Sequence, residues 1–180
     1  MTAPLAAVLV PLAVLAPFSA PQVRVEATFR VPSVSAPPTA VTFDQEAVPV
    51  GARARVTSSA SGTGTRVTLE VRGLQPDRTY GAHVHTKPCG SKPEDAGPHY
   101  QNVADPVQPS VDPAYANPEN EVWLDFVTDH TGAGSSEDTV AWRFRSGGAR
   151  SVVVHEHATS SDPGHAGTAG DRLACVNVTF

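Results

Sequence analysis

The chain has 180 residues and a formal net charge of -5, and 17 prolines and 14 glycines are spread along it. This length is enough for one domain with a hydrophobic core. The acidic balance and the lack of a basic stripe exclude the electrostatic footprint of a nucleic-acid-binding protein. No long amphipathic helical pattern accompanies the many turn residues, so the composition favours an all-β domain.

Residues 1–20 are predicted to be a signal peptide. They are apolar from Leu5 to Phe18 and end in the small residues Ser19 and Ala20, as a cleavage site requires. A membrane anchor and a misassigned start are the alternatives, but the apolar run is short for a bilayer span and contains prolines. We therefore expect export to a periplasm, a cell wall or the extracellular space, with no membrane contact beyond this segment.

Alternating apolar and polar residues predict strands along the rest of the chain. Residues 21–31 alternate in this way and precede a proline-rich stretch, so we assign residues 21–40 to an N-terminal extension or linker. Eight further strands are predicted at residues 41–43, 50–56, 66–72, 81–85, 121–128, 139–145, 151–155 and 173–180. Turns and two long loops, at 86–120 and 156–171, connect them, which is typical of a β-sandwich.

One of these strands carries a pair of histidines in the motif Gly81-Ala82-His83-Val84-His85. Side chains at positions i and i+2 of a strand point to the same face, so the two imidazoles would project side by side. A chelating metal site is one interpretation, and a surface or core histidine pair is the other.

Two further candidates, His99 and His155, lie within or beside the long loops, where functional sites tend to lie on a rigid scaffold. A cluster of neutral imidazoles suits copper or zinc. A blue-copper site is rejected, because it needs a cysteine thiolate and usually an axial methionine. The only methionine is Met1.

The two cysteines, Cys89 and Cys175, are far apart in sequence. In an oxidising compartment they would most simply form a disulfide. Two buried free thiols are the alternative.

Several motifs, taken together and in order, identify a family. They are Gly73-Leu74, Gly81-Ala82-His83-Val84-His85, Cys89, Ala96-Gly97-Pro98-His99-Tyr100, Val152-Val153-Val154-His155-Glu156 and Gly170-Asp171-Arg172-Leu173-Ala174-Cys175. In this combination residues 41–180 resemble the copper/zinc superoxide dismutases. The resemblance implies an eight-stranded Greek-key β-sandwich or barrel with two long functional loops.

The resemblance also implies roles for individual residues. It makes His83, His85, His99 and His155 the copper ligands, and it pairs Cys89 with Cys175 in a disulfide. His99 falls where the family places the imidazole that bridges copper and zinc and delivers a proton. Arg172 falls on the arginine that guides the anionic substrate to the copper.

The sequence does not show the zinc ligands that complete the two-metal site of the family. The family adds two histidines and an aspartate after the bridging residue, but residues 100–129 contain no histidine. When positions are counted from the turn that begins at Asp129, the family's later zinc-binding histidine falls near Glu119 and its zinc-binding aspartate near Val122. Carboxylates occur in the region without a zinc pattern. We therefore expect a copper-only site, with the second nitrogen of His99 free to exchange protons with solvent.

The predicted function is copper-dependent disproportionation of superoxide to dioxygen and hydrogen peroxide. A non-enzymatic copper-binding or structural domain of the same family is the alternative. A cell-surface adhesion sandwich with unoccupied histidines is a third interpretation. We expect a monomer or a homodimer. The remaining histidines, His130, His157 and His165, are predicted to lie outside the site, although His157 repeats the H-x-H spacing after His155.

Overall fold

The computed structural model describes residues 22–180, so the predicted signal peptide lies outside the described residues. Within these residues one sheet contains all nine strands, in the order β6-β5-β8-β9-β2-β1-β3-β4-β7. The strands are β1 Gln22–Arg30, β2 Ala40–Thr42, β3 Arg53–Ser61, β4 Gly64–Arg72, β5 Thr79–His85, β6 Phe126–Val127, β7 Gly134–Val140, β8 Ser151–His155 and β9 Arg172–Asn177. The predicted all-β class is confirmed.

The two edges of the sheet, β6 and β7, follow one another in the chain. A tight turn joins them, in which the Asp129 amide donates to the Ala133 carbonyl at 2.8 Å and the Gly132 amide to the Asp129 carbonyl at 2.9 Å. Because this turn brings the edges together, the sheet curls into a nearly closed barrel. The barrel encloses the main core, in which alternate residues such as Val67, Leu69 and Val71 of β4 are buried.

Strand β5 is buried on both of its faces. Tyr80, Ala82 and Val84 point into the barrel core, and the side chains between them therefore point out of the barrel. His83 and His85 are nevertheless fully buried. This face of the barrel is covered by the two long loops, so the histidine pair lies between the sheet and the loops.

Most strand boundaries differ from the sequence prediction by a few residues, and three differences change the description of the sheet. Strand β1 lies within the predicted extension and pairs with β3 antiparallel and with β2 parallel, so the sheet includes residues upstream of residue 41. The strand predicted at 121–128 shortens to β6. The strand predicted at 139–145 ends earlier, at Val140, because Trp142 and Phe144 pack with Tyr100 of the first loop instead of continuing the ladder.

The first loop contains a short 3₁₀ helix, Pro93–Ala96, and the second loop packs directly on β5. A Cβ atom added to Gly81 would lie 2.5 Å from the His157 carbonyl oxygen and 2.7 Å from the Ala169 Cβ. Only glycine permits so close an approach. Within residues 22–180 no helix is long and apolar enough to cross a membrane.

The disulfide between Cys89 and Cys175 is confirmed. It ties the first loop to β9, and both half-cystines are buried in a small cluster with Val41, Ala96 and Val153. The bridge joins residues 86 positions apart, so its loss would add considerable freedom to the unfolded chain.

We expect replacement of both cysteines by serine to lower the free energy of unfolding by about 2–5 kcal/mol, because the unfolded chain gains loop entropy. Urea denaturation of the metal-free protein would measure the change. Reductant should destabilise the wild type to a similar extent and leave the double variant unchanged. An unchanged midpoint and slope in the double variant would contradict the prediction.

Candidate metal centre

Four histidines from three parts of the chain meet outside the barrel, beneath the loops. His83 and His85 belong to β5, His155 ends the neighbouring strand β8, and His99 comes from the first loop. An isolated bridge between His85 and His99 holds the loop against β5. One ring nitrogen from each histidine lies within 4.8 Å of the others. In the part of the chain that the structure describes, this is the only group of three or more such side chains that could hold a metal.

In three of the four rings, the second nitrogen, which is the one that does not face the cluster, has a hydrogen-bond partner in the protein. His85 Nδ1 donates to the Gly97 carbonyl at 2.9 Å, which leaves Nε2 facing the cluster, 3.3 Å from His155 Nε2. His99 Nδ1 lies 2.9 Å from a carboxylate oxygen of Glu121. His83 Nε2 lies 2.7 Å from Thr159 Oγ1. These contacts orient the rings inward.

Two buried ring nitrogens, His83 Nδ1 and His155 Nδ1, have no hydrogen-bond partner. A buried polar atom without a partner costs about 1–3 kcal/mol. Coordination of a metal by His83 Nδ1 would remove that cost. The 4.8 Å spread of the four donor atoms is comparable with two metal–imidazole bonds of about 2 Å each. The donor set therefore fits an ion that prefers imidazole, such as copper.

The cluster also favours uncharged imidazoles. Burial lowers the pKa of His83 and of His85 well below the ordinary value, and the neighbouring histidines lower both further. Burial, followed by the effect of His99, lowers the pKa of His155 to about 3. These rings are therefore neutral at pH 7, which is the form that binds a metal.

Glu121 is a site residue that the sequence analysis did not identify. Its side chain is buried and bonds three partners: His99 Nδ1 at 2.9 Å, Gln101 Nε2 at 2.8 Å and Trp123 Nε1 at 2.8 Å. The expectation that the second nitrogen of His99 is free was therefore wrong, because this carboxylate holds it. The positions that the sequence frame selected do not reach the site: Glu119 is exposed and Val122 lies in the core.

Arg172 begins β9 and lines a cleft of about 1000 Å³, whose lining also includes His99, His155 and Glu121. Its Nη1 donates to the Pro93 carbonyl at 3.1 Å, which holds the side chain against the first loop. Burial lowers the pKa of this guanidinium, and nearby Glu94 opposes the effect. Arginine stays charged in proteins, so a cation lies in the cleft that leads to the histidines.

The other histidines lie outside the cluster. His130, His157 and His165 are exposed, and His157 Nε2 lies 3.3 Å from a carboxylate oxygen of its neighbour Glu156. Strand β8 ends at His155, and the chain bends at Glu156 and His157. The repeated H-x-H spacing therefore does not continue onto the same face.

The fold and the site define a β-barrel metalloprotein with a buried imidazole centre beside a cationic cleft. In sequence, the model of the copper/zinc superoxide dismutase (SODC) family matches residues 50–178. The chain belongs to this family. A search of curated proteins finds no significant match.

Solved structures share the fold at low sequence identity. The copper/zinc superoxide dismutase from Brucella abortus is 20% identical, with a TM-score of 0.54 over 89% of this chain and 99% of that chain. The clock protein EA4 is 19% identical, with a TM-score of 0.55 over 93% and 99% of the two chains. A double mutant of a superoxide dismutase-like protein from Bacillus subtilis is 16% identical, with a TM-score of 0.53 over 70% and 88%.

The metal-free protein should lose stability on acidification. Because His83, His85 and His155 have lowered pKa values when folded, the unfolded chain binds up to three more protons as the pH falls below about 6.5. Their stabilising effect is present above that pH and is lost below it, with a limiting slope of about 4 kcal/mol per pH unit. Denaturation curves between pH 7 and pH 4.5 would measure the slope.

Paired variants separate these histidines from other titrating groups. His83→Gln should reduce the slope by about 1.4 kcal/mol per pH unit, the equivalent of one proton. His130→Gln alters an exposed histidine and should leave the slope unchanged. Equal slopes in the two variants would show that the buried cluster does not couple protonation to folding.

Proposed function

We propose that the protein is a copper-dependent superoxide dismutase, which converts two superoxide anions and two protons to dioxygen and hydrogen peroxide. Membership of the family supports superoxide dismutase-type function in general. The observation that carries the proposal for this chain is the group of four converging imidazoles, in which His83 Nδ1 is buried and unpartnered.

His83, His85, His99 and His155 would hold the copper ion. When bound, copper supplies one-electron redox chemistry, so that one superoxide can be oxidised and a second reduced. The neutral, buried imidazoles provide a fixed donor set for this purpose. His99 is the least buried of the four and lies in the wall of the cleft, so we assign it a second role as proton donor.

Arg172 would guide the substrate. The whole chain carries a net charge of -5, which repels superoxide at long range. A guanidinium inside a cleft can reverse the field locally, because low-dielectric walls focus it. The hydrogen bond to the Pro93 carbonyl keeps this charge at the cleft wall, between solvent and the histidines.

The site is proposed to be copper-only. The bridging imidazole of the two-metal family members would present its second nitrogen to zinc, and here His99 Nδ1 lies 2.9 Å from Glu121 instead. The carboxylate fixes the ring in the way that a second metal ion would. Residues 22–180 offer no additional group of three candidate ligands.

We also propose that the protein is exported, with a signal peptide at residues 1–20 and the family domain at 41–180. The Cys89–Cys175 bridge supports this, since disulfides persist mainly in oxidising compartments.

Metal analysis and a superoxide-decay assay on one preparation would test the proposal. We expect about one copper and no zinc per wild-type chain, with decay faster than a free-copper control. His83→Ala should lose the copper and the activity, whereas His130→Ala should keep both. Copper without turnover would instead indicate a non-enzymatic copper-binding protein, and wild-type protein that binds no copper would refute the proposal.

Arg172→Gln should lower the rate of superoxide decay about tenfold or more at low ionic strength, since electrostatic focusing typically accelerates association by that amount. The deficit should shrink as salt rises. Arg66→Gln is the matched control, because it removes the same charge from an exposed position on β4. Similar rates in the two variants would contradict the guiding role.

A further inference from the structure

A short chain of hydrogen bonds runs from His83 to the second loop and back to the segment before β6. His83 Nε2 lies 2.7 Å from Thr159 Oγ1, and Thr159 Oγ1 lies 2.7 Å from Asp125 Oδ1. The backbone amide of Thr159 also donates to Asp125 Oδ2 at 2.6 Å. Thr159 therefore contacts one carboxylate through two separate donors.

The direction of these bonds follows from the donors available. A carboxylate oxygen can only accept, so the single hydroxyl proton of Thr159 points to Asp125. The hydroxyl oxygen is then left as an acceptor for His83, which must carry its proton on Nε2. In a neutral imidazole the other nitrogen, Nδ1, then has the free lone pair. Nδ1 is the buried atom that has no partner in the protein.

We propose that Thr159 is a positioning residue that fixes the tautomer and ring orientation of His83, with Asp125 orienting the Thr159 hydroxyl. The inference rests on the copper binding that the proposed function assigns to His83. We call the hydrogen-bonded chain of Asp125, Thr159 and His83 the relay. It directs the His83 Nδ1 lone pair toward the metal position even in the metal-free protein.

The relay includes residues from three parts of the chain: β5, the segment before β6 and the second loop. Besides Thr159, Asp125 accepts a hydrogen bond from the Ala82 amide of β5 at 3.2 Å. A Cβ at Gly81 would lie 3.4 Å from Thr159 Oγ1, so the hydroxyl is packed against the strand that carries His83. The position of Thr159 is thus set by the Asp125 carboxylate on one side and by the backbone of β5 on the other, as precise ligand orientation requires.

Removing the Thr159 hydroxyl should lower the affinity for copper more than it lowers the stability of the fold. Thr159→Val keeps the shape of the side chain but leaves the His83 Nε2 proton without an acceptor. Loss of an outer contact to a histidine ligand typically weakens metal binding 10–100-fold. Thr159→Ser keeps the hydroxyl and should restore affinity to near the wild-type value.

Copper(II) affinity, measured by competition with a chelator, and the copper EPR spectrum would test the inference. We expect Thr159→Val to bind copper at least tenfold more weakly, with altered hyperfine coupling. Thr168→Val is the matched control, because it removes an exposed hydroxyl from the same loop. The Thr168 hydroxyl bonds the His165 carbonyl and not a histidine ring. It should keep wild-type affinity and spectrum.

Wild-type affinity and spectrum in Thr159→Val would overturn the inference. So would an equal loss in Thr159→Ser or in Thr168→Val, since the effect would not then depend on the Thr159 hydroxyl. If Thr159→Val does not fold, as judged by circular dichroism, Asp125→Asn applies the same criterion. The asparagine replaces one acceptor oxygen with an NH₂ donor, which faces either the amide or the hydroxyl of Thr159, so one of the two bonds is lost and copper binding should also weaken. Absence of copper binding by the wild type would instead refute the proposed function.

Discussion

The alternation of side chains along β5 is the constraint on which the site depends. The strand divides its residues between two environments: Tyr80, Ala82 and Val84 pack in the barrel core, and His83 and His85 project outward beneath the loops. A shift of one residue in the pairing with β8 would exchange these faces and place imidazoles in the apolar core. The packing of the core and the placement of the histidines are therefore secured by the same register.

The second nitrogens of the rings are held by three chemically different groups. His85 is held by a backbone carbonyl, His99 by a buried carboxylate and His83 by a hydroxyl. Two of these partners, Glu121 and Thr159, come from segments far from β5 in sequence. The loops therefore do more than cover the site, because they determine which nitrogen of these three rings faces inward.

The histidine cluster, the disulfide and the all-β class could be predicted because short motifs carry them. The H-x-H spacing in β5 is a local property of a strand, and family motifs located His99, His155 and the cysteines. Glu121 could not be found this way, since its role depends on a long loop that returns to His99. The end of β7 was misplaced for a related reason. Alternation at Val140, Trp142 and Phe144 resembles a strand, but the aromatic contacts with Tyr100 come from tertiary packing.

The pairing of β5 with β8 also determines the order in which ligands can assemble during folding. His85 and His155 are 70 positions apart and meet only when the ladder between these strands has formed. Contacts of such long range form slowly, because loop closure precedes the favourable pairing. A partly folded chain can therefore offer an ion only local pairs of histidines, such as His83 with His85 or His155 with His157. Tight binding by all four histidines requires the folded barrel, so ions bind the unfolded chain only weakly and reversibly.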